Sequence, residues 1–168
     1  MLIPSVRKTW SPRGQTPFLY HWLRHDKVSA ISAISVSPKR SRLSLYCQLY
    51  EQSVNREGVH NFLRHLLQHI RGHLFILLDN AQIHRGGPIL DLLSRFPRLH
   101  LVPLPPYAPE LNPDEGVWRH LKHSLANTRP DNTVDLVDML SEHLLSFASS
   151  PSLLRSCIHQ SELPLFLP

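Results

Sequence analysis

The sequence predicts one α/β domain, a mixed sheet flanked by helices, and three observations predict it. Two β-favouring runs, KVSAISAIS (27–35) and RLSLYCQLY (42–50), are separated only by a short turn-like stretch around SPKRS. Two apolar runs, HLFILL (73–78) and LHLVPLP (99–105), bracket the helix-patterned ILDLLSRF. Stretches of helical spacing precede and follow that unit. A chain of 168 residues with 42% hydrophobic and 18% charged content has material for one domain with a sizeable core, because folding at this length buries roughly 70% of the surface an unfolded chain exposes.

Residues 4–17 hold three prolines and one glycine and read as an irregular arm. The two β-favouring runs form an antiparallel hairpin, since so short a turn leaves no room for a crossover. Val59, Leu63, Leu66, Leu67 and Ile70 recur at helical spacing between Val54 and Ile70, with Asn55 placed to cap the helix. HLFILL is short, continuous and apolar, the mark of a strand covered on both faces by helices. Strand, short helix and strand at this spacing predict a βαβ unit with a parallel pair. After the loop PPYAPELNP a helix runs from about Asp114 to Asn127 behind Pro113, whose missing N–H costs nothing at a helix start. TVDLVDMLSEHLLSF gives a last helix after the linker TRPDN. Residues beyond Ser149 are loosely patterned, so the domain is expected over 1–148 with a tail at 149–168.

Eighteen Lys and Arg against 13 Asp and Glu give a net charge of +5 with histidine neutral. That balance favours polyanions such as DNA, through counterion release, and is equally met in basic proteins that bind nothing in particular. Cys47 and Cys157 form no C-x-x-C pair, and no signal peptide precedes them, so a reduced cytoplasmic compartment is expected. No run of 18 apolar residues is present, which sets a membrane role aside.

Chemistry concentrates where the strands end. Ligands of open α/β sheets collect outside the carboxyl ends of the strands, and Asp79 follows HLFILL at such an end. The second apolar strand leads through its loop to Glu115 on the first turn of the next helix, so topology brings a second acid towards the same edge. Carboxylates holding Mg²⁺ suit phosphoryl transfer. The competing roles are a turn-capping aspartate for Asp79 and a first-turn acid favoured by the helix dipole for Glu115.

The order L-L-D-N-A-x-x-H followed by L-P-P-Y-A-P-E-L-N-P-D-E-G-V-W-R-H-L-K resembles the DDE transposases of bacterial insertion sequences in the mariner superfamily. V-R-K-T-W-S-P-R-G-Q-T-P also looks like that family, so the likeness covers most of residues 2 to about 128. The resemblance implies a ribonuclease H-like fold and metal-dependent DNA strand cleavage and transfer. Asp79 and Glu115 map to the second and third catalytic, metal-binding carboxylates, and their separation, 115 − 79 = 36, fits the family's mid-thirties spacing. Mg²⁺ or Mn²⁺ is the implied cofactor. The implied partners are DNA, as element ends and target, and a homo-oligomer bridging two ends. Asn80 and His84 match the motif near the metal edge, and Asn112 and Pro113 shape the turn presenting Glu115. Trp118 is expected to pack the helix, whereas Lys122 and Arg119 are candidate DNA contacts.

The family's first carboxylate, an Asp-Glu pair ending the first, central strand, has no counterpart here. Asp26 in HWLRHDK is a poor substitute by position. The expectation is therefore a partial catalytic domain lacking that strand, either a degraded remnant or a segment joined by frameshifting to an upstream transposase segment that supplies the first Asp, with little nicking activity alone. The alternatives are a catalytically inactive DNA-binding or partner-interacting remnant, and a zinc site at His65, His69 and His73, which recur every four residues. Gly72 interrupts the helix before His73, and exposed histidines on a basic helix are the favoured account of that series.

Overall fold

The computed structural model describes residues 8, 10–15, 28–128 and 130–163. Strands β1 (Ser29–Val36) and β2 (Leu43–Tyr50) form the expected antiparallel hairpin, with Ser32 opposite Cys47. Helix α1 (Arg56–His69) follows, and the Asn55 side chain accepts from the Gly58 N–H at 2.9 Å, as the sequence predicts. Strands β3 (Leu74–Leu78) and β4 (Leu99–Pro103) pair in parallel across helix α2 (Gly87–Arg95), completing the βαβ unit. Helices α3 (Asp114–Ser124), α4 (Thr133–Ala148) and α5 (Pro151–Gln160) close the described chain.

Among the described residues the strands make two separate two-stranded sheets, β1–β2 and β3–β4, where the sequence predicted one mixed sheet, because no strand there bridges the hairpin and the parallel pair. Each carries its own apolar core. Val59, Leu63 and Leu67 of α1 and Ile89 and Leu92 of α2 pack over one face of β3–β4. Val117 and Leu121 of α3, Leu144 and Phe147 of α4, and Leu154 and Cys157 of α5 pack over β2. Arg98 joins α1 to β4 by donating to the carbonyls of Leu67, Ile70 (2.8 Å) and Gly72 (2.7 Å). Those carbonyls at the helix end would otherwise lack donors.

Two further expectations are corrected. β3 is not covered on both faces: Phe75 is 64% exposed, Leu77 50% and Val102 of β4 44%. The apolar run identifies the strand, but α1 and α2 lie on one side only, so alternate side chains face outwards. The stretch after Ser149 holds α5, which buries Leu154, Cys157 and Ile158. Gly116 lets α5 approach: a Cβ there would stand 2.9 Å from Cys157 Sγ. Both cysteines are free. The thiol of Cys47 is pushed up to about 12, by burial first and then by the charge of Asp114. Among the described residues no helix is long and apolar enough to cross a membrane.

Candidate active site

Asp79 leaves the carboxyl end of β3 with its side chain 64% exposed. Its Oδ1 accepts from the Ala81 N–H at 3.0 Å, the turn-capping bond its position permits, and from His84 Nε2 at 2.9 Å. His84 stands on the single 3-10 turn Gln82–His84, its side chain only 18% exposed. Burial holds its pKa below the ordinary 6.5, against the opposing pull of the Asp79 charge and hydrogen bond. At pH 7 the ring is therefore neutral, and its Nε2–H donates to the carboxylate. With both bonds on Oδ1, Oδ2 is the oxygen left for another partner.

Asn80 ties the two strand ends together. Its Nδ2 donates to the Leu104 carbonyl, and its Oδ1 accepts from Arg85 Nη2 at 2.6 Å. The Leu104 N–H in turn donates to the Leu78 carbonyl at 2.8 Å. The loops after β3 and β4 thus start from one hydrogen-bonded junction. The second of them passes Tyr107, whose left-handed backbone (φ 58) points a fully exposed ring outwards, and the 3-10 turn Pro109–Leu111.

The start of α3 is built by Asn112 and Pro113. Asn112 Oδ1 accepts from the Asp114 N–H, and its carbonyl accepts from the Glu115 N–H, both at 3.1 Å. Glu115 is exposed. Its neighbour Asp114 turns inwards, where Oδ2 accepts from Ser32 Oγ on β1 and from Trp118 Nε1 at 2.9 Å. Oδ1 of Asp114 is buried without a hydrogen-bond partner. Burial raises its pKa to about 6, although both donors pull it down. Trp118 packs between the α3 cores while making that bond. Arg119 and Lys122 are exposed on α3, and Arg119 lines a cavity of about 190 Å³ beside α5.

Among the described residues no three His, Cys, Asp or Glu side chains are grouped to hold a metal ion. Asp79 and His84 meet directly. Glu115 is not gathered with them into one ligand group, although both acids follow carboxyl ends of the parallel strands. The donor chemistry still suits a hard divalent cation, because both acids offer exposed carboxylate oxygens. The four-residue histidine series breaks up: His69 Nδ1 bonds the His65 carbonyl at 2.8 Å, while His73 Nδ1 lies 3.0 Å from His100 Nε2. Asp26 lies outside the described residues. Sequence reasoning missed Asp114, for which the only signal was a tryptophan one helical turn later. It also missed Arg85, which is adjacent to the motif histidine.

The fold resembles that of solved transposase structures. It is similar to the Mos1 strand transfer complex, with a TM-score of 0.57 and 19% identity over 96% of this chain and 52% of that one. The Mos1 mariner paired-end complex with Mn gives 0.56 and 18% over 96% and 53%. The catalytic domain of Mos1 mariner transposase gives 0.50 and 20% over 80% and 81%. This chain therefore spans about half the length of the Mos1 chains in those complexes. No curated protein matches it. The model of the DDE superfamily endonuclease family matches residues 2–137, and the chain belongs to that family.

Proposed function

We propose that the chain is part of the catalytic domain of a mariner-type, insertion-sequence DDE transposase, cutting DNA and joining the freed 3′-hydroxyl to a target. The observation that carries this reading is the family match over residues 2–137, combined with exposed carboxylates just after β3 (Asp79) and on the first turn of α3 (Glu115). Asp79 and Glu115 would hold Mg²⁺ or Mn²⁺, completed by a third acid from outside the described residues, such as an upstream segment. A divalent ion there supplies Lewis acidity for the attacking and leaving oxygens. His84 and the Ala81 N–H fix Asp79 through Oδ1, so that Oδ2 is presented in one orientation. Asn112 sets the turn from which Glu115 projects. DNA is the substrate, the active form self-associates around two DNA ends, and the compartment is cytoplasmic.

A second reading is a DNA-binding remnant without catalysis, in which the basic exposed residues of α3, Arg119 and Lys122, meet DNA with no metal between. Electrophoretic mobility shifts on nicked duplex DNA separate the two. Binding strengthened by Mn²⁺ in the wild type, and not in Glu115→Ala, is expected of the enzyme. Equal binding with and without Mn²⁺, unaltered in Glu115→Ala, would establish the remnant.

A further inference from the structure

Next to the Asp79 loop, two arginines from separate elements converge on one cavity. Arg56 is the first residue of α1, and Arg85 follows the 3-10 turn that carries His84. Together with Gln82 and Gly86 they line a cavity of about 320 Å³, with no acid among the lining residues. Gly86 has φ 108, and a Cβ there would come within 3.0 Å of Arg56 Nε and 3.2 Å of Cζ. The Arg56 side chain therefore lies against the Gly86 backbone, where the positive φ favours glycine.

Neither arginine is in an ion pair among the described residues. Arg85 instead donates to the neutral Asn80 side chain at 2.6 Å. Two guanidiniums sharing a cavity without a carboxylate repel one another, and an anion between them removes that cost. A planar fork of donors fits two oxygens of a phosphate group. The candidate acid Asp79 precedes the residue that holds Arg85, so an anion bound in the cavity lies beside the proposed cleavage edge.

We propose that the Arg56–Arg85 cavity is a clamp for a backbone phosphate of the DNA strand lying along the Asp79 loop. This inference rests on the transposase reading and names two of its DNA contacts. The clamp offsets the repulsion between a phosphate strand and an acidic site, and it fixes the strand's position without reading its sequence.

The test uses the full chain and a labelled duplex in EDTA, with fluorescence anisotropy across a salt series, together with thermal melts in inorganic phosphate. R56Q/R85Q is compared with K39Q/R42Q, which removes the same charge from the exposed hairpin turn. The clamp variant is expected to weaken DNA binding at least ~10-fold and to lower the salt slope by about 2. It should also lose the phosphate-induced rise in Tm, while the hairpin variant keeps it. Should R56Q/R85Q not fold, the single variants R56Q and R85Q each carry the same expectation with a slope change of about 1. Unchanged DNA affinity, or an equal loss in the hairpin variant, overturns the clamp and leaves the transposase reading standing. A wild type that fails to bind DNA but is still stabilised by phosphate through these arginines overturns the DNA assignment and counts against the transposase reading itself.

Discussion

The end of β3 and the start of α3 each present an exposed acid after a parallel strand, but they hold their charge in opposite ways. Asp79 stays 64% exposed, its Oδ1 engaged by a neutral histidine and a backbone N–H. At the start of α3 two acids stand side by side and divide the work. Consecutive helical residues point about 100° apart, so Asp114 faces β1 and Glu115 faces solvent. Asp114 anchors the helix through Ser32 and Trp118 at the cost of a buried, unpaired Oδ1. One region orients its acid by local bonds; the other leaves its acid free and fixes the helix beneath it. The structural anchor and the proposed ligand are therefore separate residues at α3 and one residue at β3.

The largest effect expected from this contrast is at Asp114. Its folded pKa of about 6 lies above the ordinary 3.8, so between those values the folded state holds a proton that the unfolded chain has released. Its contribution to stability is full below pH 3.8 and is lost as pH rises through about 6, a fall of about 3 kcal/mol from the size of the shift. Denaturant titrations at pH 4 and pH 7 should show the wild type losing stability by about that amount relative to Asp114→Asn. The same slope in both proteins would break the assignment.

Gly116→Ala should come next. The new Cβ meets Cys157 Sγ at 2.9 Å and Cβ at 3.0 Å, so α5 has to move. Overpacking of this kind costs about 1–3 kcal/mol, read as a lower urea midpoint, with Asp79 and His84 untouched. The smallest effect belongs to His84. Its depressed pKa means that protonation opposes folding, so stability should decline as pH falls below 6.5, and His84→Gln should lessen that decline. No difference between the two proteins would show that the ring is not held by burial.

Local patterns carried most of the fold. The hairpin, the Asn55 cap of α1, the parallel pair and the helices at Asp114 and Thr133 follow from periodicity and punctuation within a dozen or so residues. What was not legible depends on distant partners. The outer face of β3 looks the same in sequence whether or not a helix covers it. PSLLRSCIHQ does place Leu154, Cys157 and Ile158 at helical spacing, but its docking on α3 depends on the distant Gly116, which opens a place for Cys157. Within the site, the positions of Asp79 and Glu115 were readable from motif order. The burial of Asp114 was not, because it rests on Ser32, 82 residues away. The bond from His84 to Asp79 required a 3-10 turn that the sequence does not announce.

The measurement that tests the central claim most directly is Mn²⁺ binding to the purified chain, followed by electron paramagnetic resonance, in the wild type and in Asp79→Asn, Glu115→Gln and Asp114→Asn. If Asp79 and Glu115 share one ion, each of the first two substitutions should weaken binding, the pair together should do little more than either alone, and Asp114→Asn should leave it unchanged. Binding that survives both Asp79→Asn and Glu115→Gln would contradict the account and place the metal elsewhere.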